Sequence, residues 1–108
     1  MREIKFRAWE KDAKHMTGFC TLDRVVANFH GLDDEQWSNL IWMQYTGLKD
    51  KDGVEICEGD VVLVPYNRIG NIEVKFNKGK YNIVGYILKE LEIVGNIYEN
   101  PELVEGTK

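Results

Sequence analysis

The sequence predicts a mainly β fold: short antiparallel strands that end in a small C-terminal barrel, with at most one or two short helices. Three observations predict it. Residues 2–9 and 71–76 alternate apolar and polar side chains with period two, the pattern of half-buried strands. Tight-turn signals recur at short spacing, above all Asp52-Gly53 and Gly59-Asp60. From residue 55 onward the chain reads as four or five short strands joined by such turns, and a set of that kind buries one face by curling on itself.

In the opening strand Ile4, Phe6 and Ala8 point one way, and Glu3, Lys5 and Arg7 the other. Trp9 falls on the charged side, which implies that this side is partly covered. "EKDAK" at 10–14 fits a hairpin loop, and "HMTGFCTL" at 15–22 fits the return strand, weakened by Gly18. "RVVANF" at 24–29 is β-branched and reads as a third strand, followed by a turn at 30–34. Asp33, with Gln36 three residues on, is a capping-box-like helix start. Trp37, Leu40 and Ile41 then fit helical spacing, whereas Ile41, Trp42, Met43 and Tyr45 suit a buried strand. The reading is a short helix or turn near 34–39 and a strand near 40–46.

The second half is punctuated more sharply. Asp52-Gly53 sits between Leu48 and Ile56 as a hairpin turn, because glycine accepts positive φ without steric cost. Gly59-Asp60 feeds the strand 61–64, and Pro65 ends it, having no N–H to give a ladder. "YNRIG" is a loop. In "NIEVKF" at 71–76 Ile72, Val74 and Phe76 are read as inward. "NKGK" at 77–80 is a hairpin turn, "YNIVGYIL" at 81–88 a strand with a bulge or bend at Gly85, and "EIVGNIY" at 92–98 the last strand. "ENPELV" closes with a short turn of helix, and 105–108 is a tail. The turn-Gly-Asp-strand opening is common at the start of SH3-like barrels, an analogy that carries no function with it. One domain over 1–108 is the natural division, with an N-terminal subregion 1–46 and a barrel-like subregion 47–104.

A chain of 108 residues buries roughly two-thirds of its unfolded surface, enough for one core without staples. No apolar run approaches the roughly 18 residues of a membrane-spanning helix, and "MREIKFRAW" lacks the apolar stretch of a secretion signal. The expected location is the cytoplasm, where Cys20 and Cys57 stay free thiols. The net charge of −4 is unevenly spread: +2 over 1–30, −6 over 31–60, +3 over 61–88 and −3 over 89–108. An acidic whole argues against broad contact with a phosphate backbone, while the basic block leaves room for a local patch.

Few residue patterns point to chemistry. An EF-hand aligned on Gly53 would start at Leu48 and end at Gly59, where it needs an acidic residue and a bidentate Glu. Asp50, Asp52, Glu55, Glu58 and Asp60 are instead read as a solvated acidic face. His15, His30, Cys20 and Cys57 have no metal-ligand spacing. Neither a phosphate loop nor a nucleophile–base motif is present. The expectation is a protein that is not an enzyme and uses no cofactor. Two leads remain. Tyr66, Arg68, Lys75, Lys78, Lys80 and Tyr81 interleave cations and rings near one hairpin, the mixture that holds single-stranded nucleic acid. Trp9, Trp37 and Trp42 are suited to a partner or self-association surface wherever they are exposed.

Three segments together resemble the YopX family of phage and prophage proteins: "MREIKFRAWEKDAKHM" at 1–16, "MQYTGLKDKDGVEICEGDVV" at 43–62 and "EIVGNIYENPELV" at 92–104. Cys57 stands where the family pattern favours an aromatic ring. The resemblance implies a phage or prophage gene, a largely β protein with a barrel-like C-terminal part, and oligomer formation. It supplies no catalytic residues. Its matching positions, Gly47, Asp52, Gly53, Gly59, Asp60, Gly95, Asn96, Asn100 and Pro101, carry turn chemistry. The expected function is that of a non-enzymatic accessory protein working through contacts with itself, a phage protein or a host protein. The alternative is a nucleic-acid-binding regulator using 66–81. A third reading has the acidic 33–60 stretch dock on a host enzyme or defence protein.

Overall fold

The computed structural model describes residues 4–21, 23–25, 31–77 and 79–104. The chain divides into two compact units, 1–45 and 46–108. It is mainly β with short antiparallel strands, and its C-terminal part is a curled, partly closed barrel.

In the first unit β1 (Lys5–Glu10) is central. It pairs antiparallel with β2 (His15–Met16), β3 (Cys20–Thr21) and the first half of β4 (Leu40–Lys49), with Phe6 opposite Gln44 and Glu10 opposite Leu40. The single return strand expected over 15–22 is instead two short pieces. Thr17 causes the break: its N–H donates to the Ala8 carbonyl at 2.9 Å, and its Oγ1 accepts from the Ala8 N–H at 2.8 Å. A side chain thus occupies a ladder position, and residues 17–19 leave the strand. Ala8 and Trp9 are both buried, so β1 is covered on its two faces. On the cationic face Lys5 Nζ lies 5.1 Å from the Phe19 ring and 4.9 Å from the Tyr45 ring. Ile4, expected inward, precedes β1 and is exposed. Residues 24 and 25 are helical rather than extended, and the rest of the strand expected at 24–29 lies outside the described residues.

The capping box is real. Asp33 Oδ1 accepts from the Gln36 N–H at 2.7 Å, and the Asp33 N–H donates to Gln36 Oε1 at 2.9 Å. It opens α1 (Asp34–Ser38), a helix of little more than one turn, which hands over to β4 through Asn39.

In the second unit β4 continues beside β5 (Glu55–Cys57). Gly47 has positive φ and lies within β4 rather than in a turn between strands; Thr46 Oγ1 accepts from the Leu48 N–H across it, making a local kink. A three-stranded sheet follows in the order β10 (Glu92–Asn96), β6 (Asp60–Val64), β7 (Gly70–Glu73), with β8 (Phe76–Asn77) and β9 (Lys80–Tyr81) as a separate small hairpin. A bulge between Ile93 and Gly95 bends β10 against β6. The 3-10 turns η1 (Leu88–Glu90) and η2 (Pro101–Leu103) precede and follow β10. Ile56, Val62, Val64, Val74, Tyr81, Ile83 and Leu91 form the core.

Two expectations fail here, both for local reasons. Residues 81–88 are not a strand beyond Tyr81. The Asn82 amide takes the strand partners of its neighbours: Oδ1 accepts from the Lys75 N–H at 2.9 Å, and Nδ2 donates to the Glu73 carbonyl at 2.7 Å. After it the chain makes turns, with Val84 N–H donating to Tyr81 O and Tyr86 N–H to Ile83 O. The alternation over 71–76 also breaks. Val74 and Lys75 stand between β7 and β8, so the phase is lost and Phe76 is 55% exposed while Val74 is buried.

Candidate partner-binding surface

The carboxylates at the turns define what is not a site. Asp50 and Asp60, expected on a solvated acidic face, are buried. Asp50 Oδ1 accepts from the N–H groups of Asp52 and Val54, both at 2.9 Å, and Oδ2 accepts from Ile93 N–H at 3.1 Å. Burial pushes the Asp50 carboxyl upward, but the bonds from Ile93, Val54 and Asp52, with Lys51 nearby, outweigh it and leave the pKa below the usual value. Asp60 Oδ2 accepts from Cys57 N–H at 2.8 Å. Gly53 holds φ +79° in the Asp52 turn, and a Cβ on Gly95 would come within 2.5 Å of Asn100 Oδ1. Asn96 Oδ1 accepts from the N–H groups of Tyr98 and Glu99, and Pro101 opens η2. These residues hold the backbone together.

The hairpin lead is altered in its parts. Tyr81 is buried in the core and cannot stack on a base. Phe76 lies opposite it, with ring centroids 5.0 Å apart, and takes the exposed position instead. Lys75 and Lys80 are exposed, with Lys75 Nζ 3.9 Å from Glu73, and Lys78 lies outside the described residues. The Tyr66 hydroxyl accepts from Ile87 N–H at 2.8 Å, so Tyr66 is also structural. Arg68 is exposed at the tip of the β6–β7 turn, where Asn67 and Arg68 both have φ +56°. His15 Nδ1 is 2.8 Å from Glu10 Oε1, Cys57 is buried, Cys20 is half-buried, and His30 lies outside the described residues. Among the described residues no group of three or more His, Cys, Asp and Glu is placed to hold a metal ion, and no helix is long and apolar enough to cross a membrane.

The tryptophans part ways. Trp9 is buried, so it offers no contact surface; the covered charged face of β1 encloses it. Trp37 and Trp42 meet, with ring centroids 5.9 Å apart and planes tilted by 44°. Together with Phe6 and Val25 they line an open groove of about 210 Å³ whose lining residues are all apolar. The capping box fixes the start of α1 and so sets Trp37 on the turn of helix that faces Trp42. Trp37 remains 39% exposed. α1 also borders a cleft whose lining includes Glu10, Asp12, Asp33 and Glu35 together with Leu32, Gln36, Asn39 and Leu40. Phe6 carried a sequence signal, the β1 alternation. Val25 carried none, because the β-branched run around it read as strand.

The family model described as YopX protein matches residues 5–105. The chain belongs to the YopX family. The YopX fold seen here is similar to the crystal structure of protein EF1440 from Enterococcus faecalis, at 25% identity and a TM-score of 0.66, covering 97% of this chain and 100% of that one. No curated protein matches the chain.

Proposed function

We propose that this YopX chain is a phage or prophage accessory protein that acts without catalysis, through protein–protein contacts. The observation that carries this reading is the Trp37–Trp42 groove, lined by apolar side chains alone among the described residues, with Trp37 39% exposed at its wall. Exposed tryptophan over an apolar floor is the composition of interface centres rather than of ordinary surface. The test is capture with tagged protein from phage-infected host lysate, split into nuclease-treated and untreated halves, with wild type beside Trp37→Ala. A discrete protein retained after nuclease and lost in Trp37→Ala supports the reading; identical captures with both proteins contradict it. Self-association is read separately by light scattering at high concentration, where a monomer removes the homo-oligomer.

A second reading, nucleic-acid binding, rests on the exposed Phe76 ring between Lys75 and Lys80. It requires affinity that falls steeply with salt and weakens on Phe76→Ala. Absence of binding to single-stranded DNA or RNA at low salt ends it.

A further inference from the structure

We infer that the outer edge of β7 is a strand-addition site, where one extended segment of another protein pairs antiparallel with Asn71 and Glu73. The site lies in the second unit and goes beyond the reading above by naming a further contact and its chemistry. Among the described strands β7 ends its sheet, with β6 on one side. The Val74 N–H donates to the Asp60 carbonyl at 2.8 Å, so Val74 turns its backbone groups toward β6. Antiparallel ladders alternate, and with Ile72 opposite Val62 the backbone groups of Asn71 and Glu73 turn away from β6. Asn82 marks the same direction: its amide meets the Glu73 carbonyl at 2.7 Å and the Lys75 N–H at 2.9 Å on that outer side. One side chain thus stands where a neighbouring strand would begin. Past it, among the described residues, no hydrogen bond reaches the Asn71 N–H, the Asn71 carbonyl or the Glu73 N–H.

A groove of about 430 Å³ follows this edge, lined by β7 together with Ile69, Lys75, Asn82 and Val104. Donor, acceptor and donor over about 7 Å form the pattern that an extended backbone answers. One residue of the added strand exchanges both bonds with Asn71, and the carbonyl two residues before it accepts from Glu73. Glu73 and Lys75 offset each other at 3.9 Å, so main-chain pairing rather than charge selects the occupant. Ile69 and Val104 give an aliphatic side chain of that strand an apolar wall. A second β7 fits less well. Its edge lies in the same kind of hollow, and a two-fold contact sets hollow against hollow, which keeps the two backbones apart.

The test follows the amide signals of the full chain by NMR as the peptide acetyl-Lys-Thr-Val-Thr-Val-Thr-Lys amide is added, beside the same peptide N-methylated at every backbone amide. In the free chain the Asn71 and Glu73 amides are expected to exchange with solvent about 10-fold or more faster than that of Ile72. The first peptide is expected to bind saturably and to slow the exchange of those two amides; the N-methylated one does neither. Glu73→Pro removes one open donor at an edge position where proline is tolerated, and weakens binding about 5-fold, the worth of one hydrogen bond. Glu73→Gln, which keeps that N–H, retains it. Asn71 and Glu73 amides as protected as Ile72 in the free chain, equal binding of the two peptides, binding of neither, or an unchanged affinity in Glu73→Pro overturns the inference. Dimerisation of the peptide-free chain that protects the same two amides overturns it in favour of a second copy. Peptide shifts centred on Trp37 and Trp42 instead overturn it while leaving the protein-contact reading standing.

Discussion

The two units use the same kinds of residue for opposite ends. In the second unit acidic side chains turn inward: Asp50 and Asp60 are buried and accept backbone N–H bonds from Asp52, Val54, Ile93 and Cys57. Its aromatic Tyr81 closes the core with branched aliphatics. In the first unit the acidic side chains of α1 face solvent, and its aromatic pair Trp37–Trp42 borders an open groove. The difference teaches where to look for activity. The second unit carries the most recognisable sequence, yet that sequence is spent on satisfying its own backbone. The groove lined only by apolar side chains lies beside a short helix in the first, while the second exposes Val54, Phe76, Val84 and Ile87 outside that groove.

The comparison breaks most easily at the core. Ile83 is fully buried, so Ile83→Ala is expected to lower unfolding stability by about 2–5 kcal/mol in urea titration. Trp37→Ala, at a half-open surface, is expected to cost far less stability while abolishing partner capture. Equal losses in the two variants would erase the distinction between core and contact surface.

Next in size are the inward carboxylates. Asp60→Ala strands the Cys57 N–H in the interior and is expected to cost about 1–3 kcal/mol. Asp50 adds a pH dependence. Its folded pKa lies below its unfolded value near 3.9, so its contribution is full above that value and is lost as pH falls through the lower folded one. Asp50→Asn should therefore flatten the acid limb of a stability–pH profile, measured by denaturant midpoints between neutral pH and pH 2.

Smaller still is the backbone effect at the Asp52 turn. Gly53→Ala meets no atom within 4 Å, so only its left-handed φ opposes the change, at about 1–2 kcal/mol. Gly18→Ala also meets no atom within 4 Å but has no such φ, and should be near neutral by thermal melting. The smallest difference separates Asp33→Ala, costing about 1 kcal/mol through the lost cap, from Asp33→Asn, which keeps an acceptor and should cost little. If the cap sets Trp37 in place, the alanine variant also weakens capture, and the asparagine variant does not.

Much of the fold was legible because it rests on short-range chemistry. Asp33 and Gln36 announced the helix start, Asp52-Gly53 and Gly59-Asp60 announced turns, and Asn100-Pro101 announced the closing 3-10 turn; each interaction spans only a few residues, so sequence spacing suffices. What failed was decided by groups distant along the chain or by competition for a ladder position. Thr17 capturing Ala8 split one strand into two, and the Asn82 amide pairing with Glu73 and Lys75 ended another. The same holds for the candidate surface. The sequence named three tryptophans and could not rank them, since Trp9 and Trp42 both sit on strands with mixed faces. By itself the sequence determined the main turns, the capping-box pattern and the mainly β class, and left 34–39 open between helix and turn. Tertiary structure alone decided that Asp50 and Asp60 lie inside, that Phe76 is out and Tyr81 in, and that Trp37 and Trp42 share a groove. Burial is a property of what packs over a residue, and period-two alternation gives the face but never what covers it.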